Sequence, residues 1–480
     1  MRVLVVDAGT SSVRVSVVGD DLVVTHEAFA ETLPDAPAPG LVEFDAAAYA
    51  ATALHLAIEV LGSSGPVDGV ALCTQRASTV LWDLGTGTPL GPALGWQDLR
   101  TVGACLELRA RGLHLAPNQT ATKAQWLVSQ VPAGARPDLA LGTIDTWLAW
   151  HLTGRAHHVT DATNAAVTGL VRRGAPGEWD PEAIEACDLA GVTRPEIVDS
   201  TAVVGRCTAL PGAPPLVAMA GDQQASLLGQ GCVEPGLAKI TFGTGGMLDV
   251  VLAAQPTFVR RGPAGTFPIV AWRHGGALTW GLEAVMLAAG TNIQWLRDDL
   301  GLLATSEESH AVAAACRDSG GVVYVPAPLG LGTPWWDYGA RGTLLGLTRG
   351  VGRPQIVRAV LEGVAHRGAD LVEAAEADAG ISIGTLRIDG GMSDNATFVQ
   401  ALADATGRTV EVAPVREATT RGAALAGLVA LGHLGGIGDL AATWTPRMRV
   451  EPQVALDRDR WREACGRARG WIPELSGIDL

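Results

Sequence analysis

The chain has 480 residues, 48% of them hydrophobic, which is long enough for two domains that each bury a core. Its formal net charge of −15 disfavours nonspecific binding to nucleic acid, because phosphate repels an acidic surface. The seven cysteines include no C-x-x-C pair, so we expect reduced thiols. Neither a signal peptide nor an uncharged apolar run of ~20 residues is visible, so we expect a cytoplasmic protein with no membrane contact.

A β-hairpin with a turn suited to phosphate is predicted at residues 2–18. A glycine in its turn lets backbone N–H groups approach an anion, and the hydroxyls of Thr10 and Ser11 add donors. Asp7 at the strand end either binds Mg²⁺ through water or caps the turn, and Arg14 is either a phosphate ligand or a solvated strand residue. A glycine-containing hairpin alone is usually only a hairpin, so the phosphate interpretation depends on the rest of the chain.

Helices and strands alternate along the first half, which predicts an α/β fold. Gln75 and Arg76 follow a predicted strand, where they either donate to substrate hydroxyls or form a surface salt bridge. Trp96 either packs in the core or stacks on the face of a sugar. Strands are predicted at residues 67–73, 78–83 and 216–220, and helices at residues 46–61, 122–131, 139–152 and 223–229.

Asp222 follows the strand predicted at residues 216–220, at the strand end where α/β enzymes place chemistry. A carboxylate there can accept the proton of an attacking hydroxyl late in phosphoryl transfer. It can also cap the helix predicted at residues 223–229, and the two roles are compatible.

A second hairpin of the same design is predicted at residues 237–252, with Thr244 in a glycine-rich turn. Two such turns in two halves of the chain predict a duplicated nucleotide-binding fold with a cleft between the halves. The P-loop pattern G-x-x-x-x-G-K-[ST] is absent from the sequence, so we expect the paired hairpins and the loop at residues 390–395 to hold ATP. The other elements predicted in this half are helices at residues 282–296, 355–379, 396–406 and 417–431, and strands at residues 321–326 and 386–389.

The chain resembles the FGGY carbohydrate kinases, and the glycerol kinases among them most closely, over nearly its whole length. The matching segments occur in family order: DAGTSSVR, TQRASTVLWD, GWQDLRT, TIDTWLAWHLTG, HVTDATNA, AGDQQASLLGQG, AKITFGTGG, IQWLRD, VPAPLGLGTPWWD, ARGTLLGLTRG, DGGMSDN and REATTRGAA. The resemblance implies an α/β fold of two actin-like (ribonuclease-H-like) ATPase domains that flank a cleft. It assigns the sugar or polyol and the phosphates to residues 1–228, and the nucleotide to residues 229–480.

The resemblance, together with the residue-level reasoning, also implies a role for each candidate residue. Asp222 is implied to be the catalytic base, and Asp7 and Asp222 to lie at the Mg²⁺ ion. The residues implied to contact ATP are Thr10, Ser11, Arg14, Thr244, Gly290, Gln294, Gly391 and Asn395. The residues implied to contact the acceptor are Gln75, Arg76, Ala77, Trp96, Asn118, Asp222, Gln223 and Met247.

Three acceptor positions depart from the glycerol kinase pattern, which has glutamate at Ala77, tyrosine at Asn118 and phenylalanine at Met247. Loss of an ionic acceptor and of two aromatic walls predicts a larger and more adaptable pocket. We therefore expect ATP- and Mg²⁺-dependent phosphorylation of a small polyol or sugar other than glycerol, such as a longer polyol or a ketose. The family's habit of forming dimers or tetramers implies a homo-oligomer.

Two other classes of function share the fold that this resemblance implies. An actin-like or chaperone-like ATPase uses ATP as a conformational switch, and a sugar-binding regulator keeps the pocket without catalysis. Arg76 and Trp96 favour a small-molecule pocket and so disfavour the first class. The presence of Asp7 and Asp222 favours an active kinase over the second.

Overall fold

The computed structural model describes residues 1–132 and 138–477, so the last three residues of the predicted second domain lie outside the described part. Up to residue 229 the strands are β1 (Arg2–Ala8), β2 (Ser12–Gly19), β3 (Val24–Glu31), β4 (Glu43–Phe44), β5 (Gly69–Thr74), β6 (Thr79–Asp83), β7 (Ala93–Leu94), β8 (Leu139–Thr143), β9 (Val159–Asp161), β10 (Val171–Arg172), β11 (Ala175–Trp179), β12 (Glu196–Val198), β13 (Gly205–Arg206) and β14 (Pro215–Gly221). The helices of this part are α1 (Ala46–Ser64), α2 (Val102–Ala110), α3 (Thr120–Gln130), α4 (Ile144–Leu152), α5 (Ala162–Ala166), α6 (Pro181–Ala186) and α7 (Asp222–Gly229).

The elements after residue 229 begin with a second strand hairpin. The strands are β15 (Ala238–Phe242), β16 (Gly246–Val251), β17 (Phe267–His274), β18 (Ala277–Met286), β19 (Val323–Val325), β20 (Thr343–Leu345), β21 (Thr385–Asp389), β22 (Thr409–Val412) and β23 (Met448–Val450). The helices are α8 (Thr291–Asp298), α9 (Glu308–Ala314), α10 (Arg353–Ala379), α11 (Ala396–Thr406), α12 (Ala418–Ala430), α13 (Arg458–Ala468) and α14 (Pro473–Ser476), with 3-10 turns at Gly391–Asp394 and Ile437–Thr443.

Two large sheets share one strand pattern. The first has the order β13-β14-β5-β1-β2-β3, and the second has the order β17-β18-β16-β15-β21-β22-β23. In each sheet an antiparallel hairpin, β1–β2 or β15–β16, is followed by two parallel strands, β5 and β14 or β21 and β22. Both predicted hairpins and the duplicated α/β fold are therefore confirmed.

Helix α12 connects the two halves of the molecule. It follows the second sheet in sequence, yet Ala424 and Leu428 lie in one buried cluster with Val3 of the first sheet. It crosses α7 at a pair of glycines, because a Cβ atom on Gly422 would lie only 1.7 Å from the carbonyl oxygen of Ala225. The packing of the first half thus depends on a helix from the second, and the domain boundary between residues 228 and 229 stays a prediction.

Two of the predicted helices are wrong in part. Residues 139–152 form strand β8 and then α4, and residues 282–296 form the end of β18 and then α8. Strand β8 is buried along its whole length against β6, and β18 lies between β16 and β17. A continuous apolar run fits a buried strand as well as a helix, and strands distant in sequence decide the outcome. The other predicted helices and strands are confirmed to within three residues at each end.

Helix α1 is long and apolar enough, by length and composition alone, to cross a membrane. Its apolar side chains nevertheless pack inside the protein, where Tyr49, Leu56 and Val60 are buried in a cluster with Leu4 and Val15 of the first sheet. Core helices of soluble proteins often meet the same criteria, so we interpret α1 as a core helix.

Candidate active site

Asp7 stands just before the first hairpin turn, near the end of β1. Its Oδ2 accepts a hydrogen bond from Thr420 Oγ1 at 3.3 Å, so a side chain of α12 reaches the turn. Trp96 Nε1 donates to Thr10 Oγ1 at 3.0 Å, which fixes one side of the turn, and Ser11 is exposed at its tip. The structure therefore brings Asp7, Thr10, Ser11 and Trp96 together.

Arg14 lies on β2, close to the same turn. Its guanidinium donates to Glu27 at 2.8 Å and lies 3.4 Å from Glu417, and 24% of its side chain is exposed. Arg14 lowers the pKa of Asp7, so its charge acts on the turn even though its contacts are with two glutamates. It is thus a partly solvated residue that is paired with two glutamates and whose charge still reaches the turn.

Asp222 is the first residue of α7 and follows directly on β14. Gly221 occupies the N-cap position, and its N–H donates to Thr163 Oγ1 at 2.8 Å. Asp222 Oδ1 accepts from the N–H of Gln223 at 2.8 Å and lies 3.7 Å from Arg76 Nε. Because 30% of the Asp222 side chain stays exposed, the carboxylate is free to meet a ligand while its position is fixed.

The electrostatics of the two carboxylates are linked. Burial, with the negative charges of Asp222 and Glu417, raises the pKa of Asp7 to about 7. Burial also raises the pKa of Asp222, against the opposing charge of Arg76. A bound cation would relieve the repulsion between Asp7 and Asp222, so this pair fits a metal ion.

The number of acidic groups limits what kind of ion fits. Within residues 1–132 and 138–477, no group of three or more His, Cys, Asp or Glu side chains could hold a metal. Mg²⁺ is usually held by one or two carboxylates together with substrate phosphates and water. Asp7 and Asp222 match that donor set.

Gln75 and Arg76 follow β5 and are both largely buried. Gln75 Nε2 donates to the carbonyl of Gly9 at 3.1 Å, and its Oε1 accepts from Ser78 Oγ at 2.8 Å. Arg76 Nη2 donates to Glu283 Oε2 at 2.5 Å, which makes a buried ion pair with the second sheet rather than a surface salt bridge. Arg76 Nη1 is buried and, among the described residues, meets no hydrogen-bond acceptor.

The remaining acceptor candidates differ in their surroundings. Ala77 is buried with a φ of 61°, and its carbonyl accepts from Thr120 Oγ1 at 3.2 Å. Asn118 is exposed, and Lys123 Nζ donates to its backbone carbonyl at 3.3 Å. Met247 is half-buried on β16. Contacts of the Asn118 and Met247 side chains with an acceptor stay predictions.

The second hairpin turn lies against the start of α8. The carbonyl of Thr244 accepts from the N–H of Ala289 at 2.9 Å, and the carbonyl of Gly243 accepts from the N–H of Gly290 at 2.9 Å. Gln294 is exposed one turn further along α8. The structure therefore joins Thr244 and Gly290 in one loop cluster, with Gln294 beside them.

The loop at residues 390–395 packs against the same turn. Gly390 has a φ of 86°, and a Cβ atom there would lie 2.4 Å from the carbonyl oxygen of Phe242, at the end of β15. Gly391 begins the 3-10 turn that follows. Asn395 caps α11 with its side-chain oxygen, and its Nδ2 donates to Ser309 Oγ at 2.9 Å. Both ends of the Asn395 amide thus hold the loop in place.

Sequence reasoning missed several charged side chains that face the candidate residues: Lys239, Asp249, Glu283 and Asp389. Lys239 Nζ donates to Gln223 Oε1 at 2.7 Å, and Ser226 Oγ donates to Asp389 Oδ2 at 3.0 Å. The available signal is a single charge inside an apolar strand, as in MLDVV and GLEAV. Such a charge is seldom buried unless it has a partner or a ligand.

Comparison with known proteins agrees with this geometry. Residues 2–229 match the N-terminal domain, and residues 238–431 the C-terminal domain, of the FGGY family of carbohydrate kinases. A glycerol kinase of Aromatoleum aromaticum is 41% identical, covering 98% of this chain and 99% of that protein. A glycerol kinase of Alkalilimnicola ehrlichii is 40% identical, covering 98% of each. The crystal structure of Plasmodium falciparum glycerol kinase with ADP has a TM-score of 0.88 and 25% identity, covering 100% of this chain and 99% of that one.

The duplicated fold and these similarities define a phosphotransferase that acts on an alcohol group. The chain belongs to the FGGY family of carbohydrate kinases. The family resemblance and the actin-like fold predicted from the sequence are thereby confirmed. The regulator and the chaperone-like ATPase are not favoured, since both bacterial relatives are named as kinases.

Proposed function

We propose that this carbohydrate kinase transfers the terminal phosphoryl group of ATP to a hydroxyl of a small polyol. The observation that carries the proposal is the environment of Asp222. Its partly exposed carboxylate lies 3.7 Å from the Arg76 guanidinium, and its charge acts on Asp7. A carboxylate so held can accept the proton of the attacking hydroxyl as the new O–P bond forms.

On the acceptor side, Arg76 and Gln223 orient the hydroxyls of the polyol through their N–H groups. Arg76 Nη1 is buried without a partner among the described residues, and an acceptor oxygen would satisfy it. The N–H of Trp96 is already donated to Thr10, so the ring face is the part of Trp96 left for the acceptor.

On the donor side, the hydroxyls and backbone of the two hairpin turns bind the phosphates, with Thr10 and Ser11 in the first and Thr244 in the second. Asp7 and Asp222 would hold Mg²⁺, which would neutralise charge on the phosphate oxygens. Thr420 orients Asp7 through its hydrogen bond of 3.3 Å. The residues that complete this side are Arg14 near the phosphates, and Gly290, Gln294, Gly391 and Asn395 near the adenosine.

The identity of the acceptor rests on two observations that point in different directions. The two bacterial relatives are named glycerol kinase, which favours glycerol and gives no support to the expectation of another substrate. The departures from the glycerol kinase pattern at Ala77 and Met247, which predict a larger pocket, are the reason to test larger molecules as well. We infer that a small polyol is the acceptor, with glycerol the first compound to test.

The test measures ADP release from Mg·ATP with glycerol, tetritols, pentitols, ketopentoses and dihydroxyacetone. We expect acceptor-dependent release that falls by about 10³-fold or more in Asp222→Asn, while the Kd for ATP without Mg²⁺ changes by less than about threefold. Asp459→Asn is the matched control, because that side chain is 96% exposed. Equal acceptor-dependent rates in Asp222→Asn and the wild type would remove Asp222 from the base role.

A further inference from the structure

Three charged side chains form a row across neighbouring strands of the second sheet. Lys239 of β15 is in register with Asp249 of β16, which is in register with Glu283 of β18. Lys239 and Asp249 are fully buried, and Lys239 Nζ lies 2.7 Å from Asp249 Oδ2. We call Lys239, Asp249 and Glu283 the charged row.

The charged row contacts both donor side chains that the proposed function assigns to the acceptor. Lys239 Nζ donates to Gln223 Oε1 at 2.7 Å, and Glu283 Oε2 accepts from Arg76 Nη2 at 2.5 Å. Because Lys239 occupies the oxygen of the Gln223 amide, the NH₂ group is what remains for another partner. Each contact thus leaves N–H groups of Gln223 and Arg76 available to acceptor oxygens.

We propose that Lys239, held by Asp249, is a positioning residue that fixes the Gln223 amide with its NH₂ group toward the acceptor. This inference rests on the proposed function, in which Gln223 binds the polyol. Lys239 is assigned no contact with the acceptor. It also donates to Thr241 Oγ1 at 2.9 Å, and its charge lowers the pKa of Asp222, so the test reads the acceptor KM rather than kcat. Without the lysine, the Gln223 amide can rotate and present its oxygen to the acceptor. We therefore expect weaker binding of the acceptor and unchanged binding of the nucleotide.

The design of the test follows from burial. Removing Lys239 alone would leave the Asp249 carboxylate buried without its nearest counter-ion, which is destabilising. Replacing both partners by apolar residues is often tolerated. The variant to make is therefore Lys239→Met with Asp249→Leu. The control is Arg408→Met with Glu376→Leu. This ion pair has two hydrogen bonds, and the other hydrogen bonds of the Arg408 side chain are with Ile383 and Thr406, away from the candidate site.

The experiment is a double-mutant cycle between the Lys239/Asp249 pair and Gln223→Met, read as the KM values for acceptor and for ATP. We expect the pair variant to raise the acceptor KM about tenfold with the ATP KM within about twofold. In the Gln223→Met background, the same two substitutions at Lys239 and Asp249 should change the acceptor KM by less than about twofold. Additive effects, or an unchanged acceptor KM in the pair variant, would overturn the positioning role.

A second variant keeps the inference testable should the pair variant fail to fold. Gln223→Glu retains an oxygen for Lys239 and removes the NH₂ group, so its acceptor KM should rise as much as in Gln223→Met. A wild-type acceptor KM in Gln223→Glu would overturn the positioning role. Absence of acceptor-dependent turnover by the wild-type protein would instead overturn the proposed function, and this inference with it.

Discussion

Asp7 is a half-buried carboxylate whose neighbours include more negative charge than positive. Asp222 and Glu417 raise its pKa and Arg14 lowers it, and with burial the result is a value of about 7 against the usual 3.8. The folded protein therefore binds this proton more tightly than the unfolded chain does. Ionisation of Asp7 therefore lowers the stability of the folded protein as the pH rises from about 4 to about 7. Because a carboxylate at this position costs stability at neutral pH, we infer that its role is to bind a ligand that needs its negative charge.

Asp7→Asn is predicted to raise the melting temperature of the nucleotide-free and Mg²⁺-free protein at pH 8, because the amide stays neutral. The difference from the wild type should shrink as the pH falls below 7 and disappear near pH 4, where Asp7 is protonated in the folded state. Thermal unfolding measured from pH 4 to pH 8 tests this, with the exposed Asp459→Asn as control. An increase in melting temperature that does not vary with pH, or a decrease at pH 8, would contradict the raised pKa of Asp7.

At the level of secondary structure, the crossing of α7 and α12 fixes the candidate carboxylates Asp7 and Asp222 relative to each other. Asp222 begins α7, and Thr420 on α12 donates to Asp7. The helices approach so closely that a Cβ atom on Gly229 would lie 2.0 Å from the carbonyl oxygen of Ala418. No side chain other than hydrogen fits between the two backbones, so the crossing itself requires glycine.

Gly422→Ala is therefore predicted to destabilise the protein by on the order of 3 kcal/mol, since the methyl group would have to displace the backbone of α7. Gly466→Ala is the matched control, because that helical glycine has open space around it and the change should be neutral or slightly stabilising. Urea unfolding of the two variants measures the difference. Equal stability of the two variants would show that the helices do not meet as described.

The elements also show what the sequence can and cannot predict. Both hairpins and the helix at residues 396–406 follow from local patterns, and Asp7 and Asp222 follow from their places at strand ends. Strands β8 and β18 were not predictable in this way, because an apolar run shows its strand character only when partner strands pair with it. The charged row was missed for the same reason, since its members become neighbours only through the register of three strands.

At the scale of the whole molecule, two copies of one strand pattern contribute different parts of the candidate site. The first sheet supplies Asp7 and its hairpin turn, and the second supplies Thr244 and the loop at residues 390–395. Ion pairing between Arg76 and Glu283 joins the two halves beside Asp222. In the proposed function, closure of the two halves would exclude water from the site, which favours transfer to an alcohol over hydrolysis of ATP.

The kinase activity proposed for this protein can be tested by phosphorus-31 NMR of its reaction with Mg·ATP and glycerol, or with the best acceptor from the panel. We predict a new phosphomonoester resonance that grows in step with ADP, and little inorganic phosphate. With Asp222→Asn we predict neither the phosphomonoester nor ADP. Inorganic phosphate as the main product, formed at the same rate with and without acceptor, would rule out the kinase activity and identify an ATPase instead.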